Sequence, residues 1–258
     1  MTGCHQDVSR WRRAIVAGTV ALSGSGLLAA CGSSSSSSTT TTSGSSATTG
    51  AGGGDTTSKL SELTGNVQSA QKSTFQAVYT ATSGGSTSTI TLAQSPPKQL
   101  FSSTGSSGST TSLVNTGTTT YSCLGGSGGT ATCTSIGGGV AGSALTGLIG
   151  IYNGSAALTV LHTWQTVVAS HVSGVSLTFT DETIAGQAST CAHWSYHGDQ
   201  ATYCVTSTGV LAKVESSGGS SGGQSFVLTS YTNSPPASSF AIPQGATVVT
   251  LPSGVSVP

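Results

Sequence analysis

The feature that most constrains the fold is a long uncharged stretch, since no Asp, Glu, Lys or Arg occurs between Lys98 and Asp181. Such a stretch is disordered, embedded in a membrane, or folded with a surface of threonine, serine and glycine. Here β-branched residues alternate with small polar ones, which is typical of half-buried strands. We therefore expect a folded, strand-rich region whose exposed positions carry hydroxyl groups instead of charges.

The first thirty residues have the three parts of an export signal. Three arginines form a positively charged start, Ala14–Leu22 is mostly apolar, and small residues precede Leu28–Cys31. The last four residues, Leu28-Ala29-Ala30-Cys31, resemble the lipobox of bacterial lipoproteins, in which the bond before the cysteine is cut and its sulfur receives a diacylglycerol. The resemblance implies that residues 1–30 are a signal peptide and that Cys31 is lipidated. An uncleaved anchor and an ordinary secreted protein are the alternatives, and Sec and Tat export both stay open.

Residues 31–57 are predicted to be the lipidated cysteine and a flexible linker. The linker consists almost entirely of serine, threonine, glycine and alanine, with Asp55 as its single charge. Such a segment buries too little apolar surface to offset its chain entropy. Residues 58–258 are long enough for one domain with a sizeable core.

The charge of the mature chain excludes some functions. All the arginines lie in the leader, so four lysines face six carboxylates after Cys31. A chain without a basic patch does not neutralise phosphates, and we therefore expect no nucleic-acid partner. The membrane contact that we expect is made through acylated Cys31.

Four cysteines remain after the leader and Cys31, namely Cys123, Cys133, Cys191 and Cys204. An even number in an exported domain indicates disulfides, and three connectivities are open. Local spacing favours Cys123–Cys133 and Cys191–Cys204. If His197-Gly198 is a two-residue hairpin loop, the second pair falls on directly opposite, non-hydrogen-bonded positions, which suit a cross-strand bridge.

Local patterns predict both helices and strands. Ser58–Ser73 has Leu60, Leu63, Val67 and Ala70 on one helical face. Two runs of strands joined by tight turns are predicted. Their ranges are Phe75–Thr82, Ser86–Ala93, Gln99–Thr104, Thr110–Asn115 and Thr118–Cys123, then Val175–Thr180, Ala188–Tyr196, Ala201–Ser207, Val210–Ser216 and Ser225–Asn233.

The segment between the two runs, Ile136–Ala169, has helical spacing instead. Its apolar residues recur at intervals of three and four, and Asn153-Gly154 divides it into two short helices. Glycine and β-branched residues make both helices weak by propensity, so tertiary packing must hold them. From Ser234 we expect an irregular tail.

The order helix, strand run, helical insertion, strand run resembles the LolA/LppX superfamily of lipoprotein and lipid carriers, to which LprG-like proteins belong. The matching segments are Gln71–Ala77, Ser95–Pro97, Asn115–Cys123, Tyr203–Leu211, Phe226–Thr229 and Phe240–Ala246. The resemblance implies an α+β fold, a curved antiparallel half-barrel sheet whose concave face is covered by helices. It also implies binding of lipid chains or lipidated molecules between sheet and helices, and no catalytic residue.

Apolar residues of the predicted sheet and insertion are the candidate lining of that cleft. They are Phe75, Tyr79, Ile90, Leu92, Phe101, Leu145, Leu148, Ile149, Tyr152, Leu161 and Trp164. The alternative is that these side chains pack a solid core, and a measured void between sheet and helices distinguishes the two.

Several short motif matches are explained as chance spellings in a chain rich in glycine and serine. Gly125–Gly129 and Gly218–Gly222 match a nucleophile-elbow spelling without its strand-to-helix setting. Gly137–Gly142 matches a dinucleotide fingerprint without the βαβ unit that the fingerprint needs. His193, His197 and Asp199 hint at a metal site, but hairpin histidines at the surface are the simpler interpretation.

The sequence therefore predicts an exported, membrane-anchored protein that binds or carries a lipid or another apolar ligand. We expect no enzyme activity, no cofactor and no metal. A module that docks on another cell-envelope protein is the alternative, and it predicts a filled core with an exposed apolar patch.

Overall fold

The computed structural model describes residues 53–126, 129–136, 155–170, 172–217 and 223–250. The predicted signal peptide, the lipidation site Cys31 and most of the linker lie outside these ranges. So do four of the predicted lining residues, which are Leu145, Leu148, Ile149 and Tyr152.

The described residues form one open, curved, twelve-stranded sheet, so the predicted α+β half-barrel is confirmed. In space the strands follow the order β12-β6-β5-β4-β3-β2-β1-β11-β10-β9-β8-β7. Neighbours are antiparallel except β12 and β6, which are parallel. The strands are β1 Phe75–Ser83, β2 Ser86–Ser95, β3 Lys98–Gly105, β4 Thr110–Asn115, β5 Thr120–Gly125, β6 Thr132–Ser135, β7 Val175–Ile184, β8 Gln187–Tyr196, β9 Asp199–Thr206, β10 Leu211–Ser217, β11 Gln224–Thr232 and β12 Thr247–Thr250.

Within the same ranges, two α-helices accompany the sheet, α1 at Gly53–Ala70 and α2 at Ser155–Ala169. Helix α1 begins earlier than the predicted Ser58, inside the segment assigned to the linker, and it ends at Ala70 instead of Ser73. Its end is fixed by Gln94 of β2, whose amide donates to the carbonyls of Ala70 (2.9 Å) and Gln71 (3.2 Å). A capped carbonyl end stops the helix just before β1 begins.

The two sides of the sheet differ in character, because successive side chains of a strand point to opposite faces. Ala192 lies directly opposite Tyr203, and Cys191 lies opposite Cys204. Trp194 and Tyr203 thus share one face, on which Trp164 of α2 packs. We call this the helix-covered face, and the side that carries the Cys191–Cys204 disulfide the outer face.

Both disulfides form as predicted, Cys123–Cys133 and Cys191–Cys204. The hairpin register is also confirmed, since Tyr196 pairs with Asp199. His197 and Gly198 both have positive φ, 49° and 88°, as a tight two-residue hairpin turn requires. A local turn therefore sets the register that brings these cysteines together.

The C-terminal segment is more ordered than the predicted irregular tail. It contains a short 3-10 helix at Ala237–Phe240 and then β12. Phe240 is buried, and Ser239 donates from Oγ to Oε1 of Gln76 on the outer face (2.6 Å). Strands β6 and β12 were missed because each has four residues and their parallel pairing joins distant parts of the chain.

Candidate functional site

Five predicted lining residues meet on the helix-covered face. Strand pairing places Tyr79 opposite Ile90, and Leu92 opposite both Ala77 and Phe101. All five are buried in one hydrophobic cluster, which also holds Leu228 of β11. The five are Phe75, Tyr79, Ile90, Leu92 and Phe101.

The two predicted lining residues of α2, Leu161 and Trp164, are buried but lie outside that cluster. Trp164 instead stacks on Trp194 of β8, with ring centroids 6.4 Å apart and planes 6° from parallel. It also meets the edge of Tyr203 of β9, at 6.4 Å and 88°. Trp164, Trp194 and Tyr203 form what we call the aromatic cluster.

Trp194 and Tyr203 were not identified from the sequence, although a signal for them was present. The predicted hairpin places Cys191 opposite Cys204, so residues at odd offsets from these cysteines belong on the other face. Trp194 and Tyr203 are at such positions. They therefore lie on the face opposite the disulfide, where a covering helix can pack.

One polar atom in the aromatic cluster has no hydrogen-bond partner among the described residues. Trp194 is 6% exposed, and its Nε1 finds no hydrogen-bond acceptor among the described residues. An unsatisfied buried donor costs about 1–3 kcal/mol, and such groups are uncommon in folded proteins. The indole N–H is therefore a position where an acceptor from outside the described residues would stabilise the protein.

Burial favours the neutral form of two tyrosines on the helix-covered face, Tyr79 and Tyr203. The hydroxyl of Tyr79 donates to the carbonyl of Leu211 (3.0 Å), and its ring stacks on Phe226 at 4.2 Å. Burial raises the pKa of Tyr79 well above its usual value, and the neighbouring Tyr203 and Tyr231 raise it further. Burial also raises the pKa of Tyr203. These rings therefore present an apolar surface with hydroxyl groups and no charge.

The outer face carries a group of ionisable side chains, Lys213, Glu182, Glu215 and His193. Lys213 Nζ lies 2.9 Å from Glu182 Oε2 and 3.8 Å from Glu215 Oε2. His193 is held by two threonines, with Nε2 2.8 Å from Thr180 Oγ1 and Nδ1 3.1 Å from Thr202 Oγ1. Burial lowers the pKa of His193, which favours the neutral ring.

The described residues do not bring His193, His197 and Asp199 together as a metal site. Both nitrogens of His193 face threonine hydroxyls, whereas His197 is exposed in the hairpin turn. Glu182 lies close to Cys191 and Cys204, with the three ligand atoms within 4.8 Å of one another. However, the two sulfurs are bonded to each other, and a disulfide is not the thiolate that binds metals.

None of the predicted lining residues lines either of two recesses found among the described residues. One recess, about 320 Å³, lies where β9, β10 and β11 meet, with Thr202, Glu215 and Gln224 among its lining. The other, about 170 Å³, lies between the helices and β7. We call the second the valine recess, and it is lined by Thr56, Val167, Val168, Val172, Val175 and Leu177.

No described helix combines the length and apolarity that crossing a bilayer requires. This finding concerns only the ranges given above.

No protein-family model and no curated protein sequence matches the chain. Among solved structures, MucB is 15% identical over 74% of this chain and 66% of its own, with a TM-score of 0.46. MucB in complex with MucA(peri) gives 13% identity, 74% and 62% coverage and a TM-score of 0.43. The chain thus spans slightly less than two thirds of the MucB chains.

An uncharacterized conserved protein from Thermus thermophilus is 10% identical, with 75% of this chain and 99% of that chain covered and a TM-score of 0.41. Membership of the LolA/LppX superfamily stays a prediction. The function proposed below rests on the geometry of this chain.

Proposed function

We propose that this protein is a lipid-anchored extracytoplasmic binding protein that holds an acyl chain or another lipid between the helix-covered face and α2. The lipobox-like Leu28–Cys31 supports the anchor. The two disulfides support an oxidising, extracytoplasmic location. No basic patch is needed for such a ligand, in agreement with the scarcity of lysine after the leader.

The observation that carries the proposal is the unpartnered N–H of Trp194 in the aromatic cluster. The rings of Trp164 and Tyr203 give an apolar surface around it. A ligand with an aliphatic chain and an ester carbonyl or hydroxyl would cover the rings and accept the free hydrogen bond. Binding would thereby satisfy a buried donor, so a ligand of this class would have a higher affinity than a pure hydrocarbon.

We also propose that the protein binds without catalysing a reaction. The carboxylates of Glu182 and Glu215 pair with Lys213, and both nitrogens of His193 are engaged. These groups lie on the outer face, on the other side of the sheet from the aromatic cluster. A reactive carbonyl held beneath α2 would therefore be separated from them by the sheet itself.

The test uses the full chain with Cys31→Ser, which blocks acylation. Adding Trp11→Phe leaves Trp164 and Trp194 as the only tryptophans, because the chain has three. After incubation with a total bacterial lipid extract and repurification, mass spectrometry should detect bound lipid. Titration with palmitic acid should change the tryptophan emission, since both remaining fluorophores lie at the site.

Two variants make the test specific. Trp164→Ala should weaken palmitate binding at least about tenfold, because it removes both ring contacts of α2. Leu124→Ala is the control, since Leu124 is 63% exposed on β5 and should leave binding unchanged. Lipid masses no higher than those on an unrelated protein carried through the same extract would refute the proposal.

A further inference from the structure

Strand β7 is the last strand of the sheet within the described residues. Its ten residues, Val175–Ile184, pair with β8 on one side only. The hairpin to β8 closes at the Ile184–Gln187 pair. Counting outward from this hydrogen-bonded pair, the N–H and C=O groups of Val175, Leu177, Phe179 and Asp181 point away from β8. These groups form an edge that another strand can join.

This edge lacks the usual protection over its first half. In natural proteins, lysine, proline or a bulge in an edge strand discourages another strand from pairing with it. Residues 175–180 contain no charge, proline or glycine, and their pairing with β8 continues without a register shift. Charge begins at Asp181, which is exposed and accepts a hydrogen bond from Thr190 Oγ1 (3.1 Å).

The valine recess lies beside this unprotected half. Leu177 is directly opposite Trp194, so Val175 and Leu177 are on the helix-covered face and line the recess from the strand. Val167 and Val168 of α2 line it from the helix, and Val172 is 42% exposed beside it. The recess is open to solvent, and its volume of about 170 Å³ can take one side chain. The valine and leucine side chains among its lining favour an apolar one.

We propose that the free edge of β7 binds an extended segment of a partner polypeptide by strand addition. The partner's main chain pairs with the outward groups of Leu177 and Phe179, and one of its apolar side chains fills the valine recess. Main-chain pairing supplies affinity and the recess supplies selectivity, as in other strand-addition complexes.

The exposed carboxylate of Asp181 adds a second requirement on the partner. Asp181 is on the same face as Leu177, because the two are separated by an even number of residues. A lysine or arginine of the partner, about four to six positions from its apolar residue and on the same face, would lie next to this carboxylate. The partner is therefore an uncharged, alternating segment with a basic residue near one end.

The experiment uses the full chain with Cys31→Ser and two fluorescent synthetic peptides. In both peptides valine and threonine alternate, and one lysine replaces a valine. The lysine is near the carboxyl end of the first peptide and near the amino end of the second. Fluorescence anisotropy should show saturable binding of one of them. N-methylation of the backbone nitrogens on one edge of that peptide should weaken binding at least about tenfold, and methylation of the other edge should have little effect.

Matched variants locate the site. Val175→Lys places a charge in the valine recess and should weaken peptide binding at least about tenfold. Ser106→Lys adds the same charge at an exposed turn between β3 and β4, away from this edge, and should leave binding within about twofold. Asp181→Asn should reduce the advantage of the lysine-containing peptide over its threonine analogue. Thermal unfolding of each variant confirms that it is folded.

Equal binding by wild type and Val175→Lys would overturn the proposal, as would equal weakening by N-methylation of either edge. A protein dimer that is lost in Val175→Lys, with no peptide bound, would assign the edge to a second copy and reject a separate partner. Binding of palmitic acid that is lost in Val175→Lys, with no peptide bound, would assign the recess to the lipid and also reject the proposal.

Discussion

The two helices lie on the same face of the sheet but are held in different ways. Helix α1 is fixed at its end by hydrogen bonds from the buried Gln94, and along its side by direct contact with the turn that holds Gly209. Helix α2 meets the sheet through ring contacts of Trp164 with Trp194 and Tyr203, and its Val167 and Val168 line the recess beside β7. Backbone contacts and directional hydrogen bonds are satisfied in one position of a helix, whereas ring and aliphatic contacts persist when the helix shifts slightly. The difference assigns α1 to the scaffold and makes α2 the element that the proposed ligand would move.

The largest expected effect concerns the contact between α1 and Gly209. A Cβ on this residue would lie 1.7 Å from the carbonyl oxygen of Asn66, and its φ of +82° disfavours any side chain. Gly209→Ala should therefore lower the free energy of unfolding by more than about 4 kcal/mol, because helix backbone must shift. Urea denaturation followed by circular dichroism measures the loss.

The control for this variant is Gly186→Ala. Gly186 has nearly the same φ, +75°, but nothing lies within 4 Å of its would-be Cβ. Gly186→Ala should lower the free energy of unfolding by only about 1–2 kcal/mol, because it introduces backbone strain alone. Equal losses in the two variants would show that α1 is not held by this close approach.

The next effect separates α2 from the scaffold. Trp164→Ala should cost about 3 kcal/mol, as truncations of large buried aromatic residues do. Hydrogen exchange should show the loss as faster exchange in residues 155–169, with α1 and β1 protected as before. Equal acceleration in both helices would mean that they open as one unit, and α2 would then not be an independent cover.

The smallest effect tests the cap of α1. Gln94→Leu keeps the volume of the side chain but removes its donors to Ala70 and Gln71, and should cost about 1–2 kcal/mol. Exchange should accelerate in the last turn of α1 and leave α2 unchanged. Gln68→Leu, at an exposed position on the same helix, should change the stability by less than about 0.5 kcal/mol. A similar loss in both variants would contradict the cap.

Local sequence signals account for much of this architecture. The four residues predicted for the apolar face of α1 are all buried, and they are Leu60, Leu63, Val67 and Ala70. Most predicted strands occur within a few residues of their expected bounds, because alternation and tight turns act over neighbouring positions. The disulfide between Cys191 and Cys204 also follows from one local turn, His197-Gly198.

The candidate site was predicted only in part. Seven proposed lining residues are described and all are buried, but the structure groups five on the sheet and places Leu161 and Trp164 elsewhere. The residues that complete the aromatic cluster, Trp194 and Tyr203, come from the second run of strands, and no local pattern connects them to α2.

By itself, then, the sequence determined most of the elements, their inward faces and the disulfide partners, since each depends on residues that are close along the chain. Only the tertiary structure decided that β1 pairs with β11, which joins the two runs of strands into one sheet. It also decided that Gly209 meets α1 and that β7 is left as an edge among the described strands. These outcomes depend on which distant surfaces bury each other, and periodicity along the chain carries no information about such a choice.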